Sequence, residues 1–204
     1  LREKGLVDFA DPQNPAQMTV ADPTRISQKY LQVRPGGDIA AMAGLCKRLF
    51  EMEDTRGGVL DHEFLQQHCT GMDAFATAMR EASWDEIEKV SGLRRVDLEE
   101  VAEIYATSER VVGIYGMGLT QHVHGWLNVA MLVNLLLLRG NIGREGAGVS
   151  PVRGHSNVQG QRTVGISEKP ELVPLDKLAE MFDFTPPRET GRTTVEAVEG
   201  PLDG

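Results

Sequence analysis

The chain has 204 residues, a length that suits one domain, or one domain with a small subdomain. Apolar residues make up 41% of it and charged residues 25%, which is typical of a folded globular protein and excludes a disordered one. The net charge of -9 argues against non-specific binding of nucleic acid, which needs a basic surface. An anionic cofactor remains compatible with this charge, because a few arginines and backbone amides can hold phosphate locally.

The longest apolar run and the first residues of the chain indicate where in the cell the protein is expected. The apolar run over 127–138 is shorter than the roughly 20 residues that a membrane span requires, so none is expected. The first residues lack the apolar segment of a secretory signal, which leaves the cytoplasm as the default expectation. The chain begins without Met, and we interpret it as an internal piece of a larger protein.

Composition and periodicity divide the chain into four predicted segments. Residues 1–58 form a loop-rich start and the first helix of an α/β domain, and residues 59–108 form a helical insertion. Residues 109–168 hold a strand, a loop, a helix and a long polar loop. Residues 169–204 form a partly ordered return segment.

The turn after Pro35 is the first candidate site. Gly36 and Gly37 turn the chain, and Asp38 stands at the N-cap position of a helix predicted over 39–53. A carboxylate at this point can also accept two parallel hydrogen bonds from a guanine-type edge. The local sequence is compatible with a plain helix cap and with a ligand contact.

The helical insertion is predicted as a run of short helices. Their predicted bounds are 62–69, 71–82, a helix that Ser83 opens and Gly92 ends, and 97–108. The last of these should bury one face, made of Leu98, Val101, Ile104 and Tyr105.

Residues 110–115 read as a buried strand, because they are apolar, β-branched and not alternating, as in a parallel sheet covered on both faces. A glycine-containing loop follows over 116–121, and then a helix that ends at Gly140. Ligands of open α/β sheets bind beyond the carboxyl ends of the strands, so this loop is the second candidate site. The alternative is a tight turn with exposed polar residues.

Three side chains or backbone positions of this loop suit a heterocyclic ligand. Gly116 and Gly118 let the backbone approach a ligand closely, and Gln121 both donates and accepts hydrogen bonds. His122 and His124 are two residues apart and would point to different faces of a helix, so a shared metal site is not expected.

The third candidate site is the polar segment 151–160. Arg153 can hold an anion through a forked, charge-assisted pair, and His155 can move a proton near neutral pH. Gln159 can hydrogen-bond the edge of a pterin or a base. A solvated loop is the alternative interpretation.

Three segments in this order and spacing resemble the central region of formate dehydrogenase-type molybdopterin oxidoreductases. They are GMGLTQH at 116–122, NIGREGAG at 141–148 and PVRGHSNVQG at 151–160. The resemblance runs from about residue 25 to residue 168. It implies an α/β fold, a parallel-sheet Rossmann-like domain with a helical insertion, within a larger multi-domain oxidoreductase.

The resemblance also implies a bis-molybdopterin guanine dinucleotide cofactor that holds molybdenum or tungsten. The turn Gly36–Gly37–Asp38 would then contact a guanine end of this cofactor, and Met117, Gly118, Gln121 and Gln159 would line it. Arg153 would face the metal and orient a small anionic substrate such as formate, with His155 beside it. His155 stands where formate dehydrogenases typically have Gln, which changes the hydrogen bonding next to the substrate.

The other expected partners lie outside the chain. Cys46 and Cys69 do not form a metal-type pair, so we expect both to be plain buried or half-buried thiols. Any iron–sulfur cluster would be held by other segments, and so would the protein ligand of the metal. The remaining domains of the polypeptide and an electron-acceptor subunit are the expected protein partners. The alternative function is a non-catalytic relative that keeps the fold as a structural or electron-transfer subunit.

Overall fold

The computed structural model describes residues 7–155, 157–167 and 169–200. They belong to two compact units, and the chain passes from the first to the second after Val152. The architecture is mixed α/β, with helices in the majority and two small sheets.

The first unit contains eight helices and four strands among the described residues. The helices are α1 (Pro15–Thr19), α2 (Asp38–Arg56), α3 (His62–His68), α4 (Met72–Glu81), α5 (Trp84–Ser91), α6 (Arg95–Thr107), α7 (Met117–Thr120) and α8 (Gly125–Leu137). The strands are β1 (Asp8–Phe9), β2 (Thr24–Arg25), β3 (Val112–Tyr115) and β4 (Gly148–Pro151). The second unit contains α9 (Val158–Thr163), a 3₁₀ turn (Pro170–Leu172), α10 (Leu175–Phe182) and α11 (Thr194–Glu199).

Helix α2 is the centre of the first unit, where it contacts α4, α5, α6 and α8. Its side chains Leu49 and Phe50 are at most 1% exposed and belong to the main hydrophobic core. Gly44 allows the helices to approach closely, because a Cβ there would lie 2.9 Å from Leu98 Cδ1. The helical insertion predicted over 59–108 therefore packs on α2.

Both cysteines are free, as the sequence predicted. Cys46 is fully buried on α2, and burial raises the pKa of its thiol to about 12. A protonated, inaccessible thiol is a core side chain and not a nucleophile. Cys69 is half-buried at the end of α3.

The predicted buried face of α6 is correct at two positions and wrong at a third. Leu98 and Tyr105 are buried, but Ile104 is 43% exposed and Ala102 is buried. Residues 98, 102 and 105 follow the spacing of one helical face, which rests on α2. Ile104 lies away from that face.

Strand β3 pairs in parallel with β4, with Val112 opposite Gly148 and Tyr115 opposite Pro151. The predicted burial on both faces is wrong, because Val112 is 47% exposed and Ile114 is 66% exposed. Helix α8 covers only the other face, where a Cβ on Gly113 would meet Leu132 and Leu136 at 3.1 and 3.0 Å. Within the described residues, the face of β3 formed by Val112 and Ile114 is therefore exposed.

A buried polar network holds the start of β3. Asn141, which is 0% exposed, accepts from the backbone N–H of Val111 at 3.1 Å and donates to Tyr105 Oη at 3.2 Å. Tyr105 in turn donates to the carbonyl of Leu135 in α8 at 2.8 Å, and burial raises the pKa of this phenol to about 12. The network therefore connects α6, α8 and the start of β3. After the end of α8, Gly140 turns the chain with a left-handed backbone, at φ of 60°.

Glu53 ties the end of α2 to the segment that follows it. Its Oε2 accepts from the N–H of Val59 at 2.7 Å and of Leu60 at 3.0 Å, and its Oε1 lies 2.7 Å from His62 Nε2. Burial alone would raise the pKa of this carboxyl, but the hydrogen bonds from His62, Leu60 and Val59 outweigh it and hold the pKa below its ordinary value.

We expect Glu53→Gln to lower the free energy of unfolding at neutral pH by about 1 kcal/mol. A carboxyl with a depressed folded-state pKa stabilises the fold above its unfolded pKa, and this contribution is lost as the pH falls through the folded value. The deficit of the variant should therefore shrink between pH 7 and pH 3 in denaturant titrations. Glu63→Gln, a change of the same charge on an exposed side chain, is the matched control. An equal deficit at both pH values would contradict this role of the Glu53 carboxylate.

In the part of the chain that the structure covers, no helix combines the length and the apolar character needed to cross a membrane.

Candidate functional site

The turn before α2 presents Asp38 at the edge of the first unit's core. The N–H of Gly37 donates to the carbonyl of Arg34 at 2.8 Å, and Gly36 has φ of 79°, which favours glycine. Gly37 is buried, and a Cβ there would lie 2.8 Å from the carbonyl oxygen of Val90. The two glycines thus allow a tight turn that packs against the end of α5.

Asp38 is not the N-cap of α2, which corrects the sequence prediction. Gly37 occupies the cap position without a side-chain hydrogen bond, and Asp38 is the first residue of the helix. Its carboxylate is half-buried, and no described residue caps or pairs with it. Both carboxylate oxygens remain available to accept hydrogen bonds.

The loop after β3 contains one turn of helix that the sequence did not predict. Gly116 is the extended residue before α7, and Gly118 lies inside α7 with its backbone exposed. No atom lies within 4 Å of a Cβ built on Gly118, so a ligand has room to approach the backbone there.

Asp38 and this loop line one groove of about 460 Å³. Gly116 and Gly118 form part of its wall. The remaining lining is mostly apolar and consists of Val33, Ala41, Met42, Ile114, Tyr115, Leu119 and Leu132. An apolar groove with an unpaired carboxylate and open backbone suits a flat heterocycle that carries adjacent N–H groups.

Met117 and Gln121 belong to the same loop but do not line this groove. Met117 is half-buried as the first residue of α7, and Gln121 is exposed at its end. The structure therefore brings Gly118 and Asp38 together in one groove, whereas Met117 and Gln121 are not among the residues that line it.

One polar residue that contacts this loop from α8 was not recognised as functional from the sequence. Asn128, which is 0% exposed in α8, donates to the carbonyl of Leu119 at 2.7 Å and contacts His122 Nε2 through the same nitrogen. His122 is thus a supporting residue of the loop, whereas His124 is exposed. The signal in the sequence was an asparagine inside an otherwise apolar helical run.

The segment predicted as catalytic begins the second unit. Arg153, His155 and Gln159 are exposed there, the last of them on α9. Asn157, which precedes α9, has φ of 59°, a backbone conformation that asparagine tolerates better than most side chains. Because Arg153, His155 and Gln159 are exposed in one segment, their polar groups are accessible to an anion or for proton exchange.

Over residues 7–155, 157–167 and 169–200, no group of three or more His, Cys, Asp or Glu residues is placed to bind a metal ion.

Comparison with known proteins supports an oxidoreductase family for the chain, although no protein-family model matches it. The chain is 44% identical over 209 residues to protein YdeP of Escherichia coli K12, covering all of this chain and 28% of that protein. It is 42% identical over 205 residues to the uncharacterized oxidoreductase Rv2900c of Mycobacterium tuberculosis, covering 100% of this chain and 26% of that protein.

A more distant similarity carries a named activity. The chain is 34% identical over 155 residues to the F420-dependent formate dehydrogenase subunit alpha of Methanocaldococcus jannaschii, covering 74% of this chain and 22% of that protein. The chain thus spans between about a fifth and about a quarter of the length of these relatives.

Proposed function

We propose that this chain is part of the catalytic subunit of a molybdenum or tungsten oxidoreductase that uses bis-molybdopterin guanine dinucleotide. The observation that carries the proposal is the groove in which the Asp38 carboxylate and the backbone of Gly116 and Gly118 lie together. Asp38 is distant in the sequence from Gly116 and Gly118, and the resemblance had implied that both Asp38 and Gly118 contact the cofactor. The similarity to a formate dehydrogenase alpha subunit supports the same conclusion.

The residues present fit the guanine end of such a cofactor. Both carboxylate oxygens of Asp38 can accept the parallel N–H groups of a guanine edge, and Gly118 offers open backbone beside them. In this proposal Gly36 and Gly37 shape the turn that delivers Asp38. Met117, Gln121 and Gln159 contact other parts of the dinucleotide. When bound, the cofactor's metal supplies two-electron redox chemistry.

Arg153 and His155 are proposed to act on a small anionic substrate such as formate. The Arg153 guanidinium can hold two oxygens of a carboxylate or oxyanion at once, which orients the substrate and balances its charge. The His155 imidazole can accept or donate a proton near neutral pH. Both side chains are exposed in the second unit, which leaves their polar groups accessible to a substrate.

The relatives' greater length suggests where the rest of the site lies. We propose that β3 and β4 are part of a larger parallel, Rossmann-like sheet, and that other segments of the polypeptide cover the exposed Val112 and Ile114. The same segments would supply the metal ligand, any iron–sulfur cluster and the contact with an electron-acceptor subunit. A cytoplasmic location completes the proposal.

The direct test is to purify the full-length protein that carries this chain and to measure molybdenum, tungsten and the guanine nucleotide released on denaturation. We expect one metal and guanine nucleotide in a ratio of about one to two, since the cofactor has two dinucleotides. Absence of both would reject cofactor binding. Metal and nucleotide without any turnover of small anions would instead favour the non-catalytic relative.

Asp38→Asn is expected to lower the retained guanine nucleotide in the full-length protein by roughly tenfold or more at limiting cofactor. The amide replaces one acceptor by a donor, which would face a donor of the guanine edge. Asp85→Asn is the matched control, because Asp85 also lies in the first turn of a helix, α5, at an exposed position away from the groove. Equal nucleotide retention in both variants would contradict the guanine contact of Asp38.

A further inference from the structure

The fully buried Asn128 in α8 costs the fold stability, because one of its polar atoms has no hydrogen-bond partner within the described part of the chain. Asn128 is fully buried in a helix whose other inward side chains are apolar, and its Oδ1 has no hydrogen-bond partner among the described residues. A buried polar atom without a partner costs about 1–3 kcal/mol. Leucine has the same branching and number of heavy atoms and would avoid this cost.

The amide of Asn128 spans the loop that contains α7. Its Nδ2 donates to the carbonyl of Leu119 and contacts Nε2 of His122, so one nitrogen holds both ends of the segment 119–122. The carbonyl of Leu119 also fixes the orientation of the amide, because the flipped amide would place two oxygens against each other. His122 Nε2 then accepts, and the ring proton lies on Nδ1.

Gly125 permits this close contact between the loop and α8. A Cβ on Gly125 would lie 2.2 Å from the carbonyl oxygen of Thr120, so no other residue fits there without moving the loop. Asn128 lies one turn further along the same helix. The first turn of α8 therefore holds the loop at Thr120 and Leu119, and Gly118 of the same loop lines the groove.

We propose that Asn128 is the positioning residue of the cofactor-binding loop: its side-chain amide holds Leu119 and His122 so that the backbone at Gly118 is kept beside Asp38. This inference rests on the proposed function, since it assigns the loop to the guanine end of the cofactor. Asn128 is buried beneath the loop and does not itself contact the ligand. Its unpaired Oδ1 is the cost of placing a donor at this point.

The test compares Asn128→Leu with Asn134→Leu in the full-length protein. Asn134 lies on the same helix, outside the contacts to the loop, and undergoes the same chemical change. Hydrogen exchange is followed over residues 116–125 in the cofactor-free protein. The amides of Leu119 and Gln121 report the loop there, because they donate to Gly116 and Met117.

We expect Asn128→Leu to accelerate exchange over 116–125 by roughly tenfold, the effect of losing one or two hydrogen bonds, and to leave the melting temperature close to the wild-type value. Guanine nucleotide retention should fall severalfold. Asn134→Leu should change neither quantity. Asn128→Asp, which keeps the shape but cannot donate to the carbonyl of Leu119, should loosen the loop as Asn128→Leu does.

The outcomes separate this inference from the proposed function. Unchanged hydrogen exchange over 116–125 in both Asn128 variants would overturn the proposal that Asn128 holds the loop. Faster exchange with unchanged nucleotide retention would overturn its role toward the cofactor, while leaving the proposed function intact. A wild-type protein without guanine nucleotide would overturn the proposed function and this inference together.

Discussion

Arg153→Ala in the full-length protein is expected to lower turnover of the anionic substrate by roughly a hundredfold or more and to leave the metal and guanine nucleotide content nearly unchanged. The guanidinium is proposed to hold the substrate through two charge-assisted hydrogen bonds, which an alanine cannot replace. Steady-state rates and cofactor content measured on the same preparation check both parts of this prediction.

Two further variants define the role of Arg153. Arg162→Ala removes the same charge from an exposed position on α9 and should leave turnover within about twofold of wild type, as expected for a surface charge. Arg153→Lys keeps the charge but loses the forked geometry, so most of the loss should remain. Unchanged turnover in Arg153→Ala would reject Arg153 as the residue that orients the substrate.

Asn141→Ala is expected to lower the free energy of unfolding by about 3 kcal/mol, the largest stability effect that we predict. The substitution leaves the buried N–H of Val111 without its acceptor and removes the donor to Tyr105 Oη. It also leaves a cavity at a fully buried position. Denaturant unfolding of the full-length protein, or of any part shown to fold, measures the effect.

The network predicts a graded series. Tyr105→Phe removes the bond to the carbonyl of Leu135 but keeps the packing of the ring, so its cost should be smaller, about 1–2 kcal/mol. Asn134→Ala changes an asparagine that is only half-buried, so its cost should be smaller than that of Asn141→Ala. An equal loss of stability for Asn134→Ala and Asn141→Ala would show that the network has no special role.

Local sequence signals were sufficient for most helices. Ser83 opens α5 and accepts from the N–H of Glu86, and Gly92 ends it with φ of 73°, as their residue types predicted. Caps and turns depend on neighbouring residues, which is why a single sequence reveals them.

The candidate site was predicted less completely, and each error has a physical reason. Asp38 was placed at a helix cap, but the tight turn at Gly36 and Gly37 makes Gly37 the cap, so the helix starts one residue earlier than predicted and Asp38 is its first residue. The turn of helix at Met117–Thr120 was missed because it is only four residues long and has no periodicity. Burial of Ile114 was expected from its apolar character, which does not specify what covers a strand.

The sequence by itself predicted most of the helices, the free state of the two cysteines and the polar segments that are proposed to bind a ligand. Only the tertiary structure decided that Asp38 and Gly118 line one groove, that Asn128 holds the loop between β3 and α8, and that Asn141 holds the start of β3. These contacts join residues through the packing of α2, α8 and β3. Such packing depends on the whole core, so no local pattern of residue types encodes it.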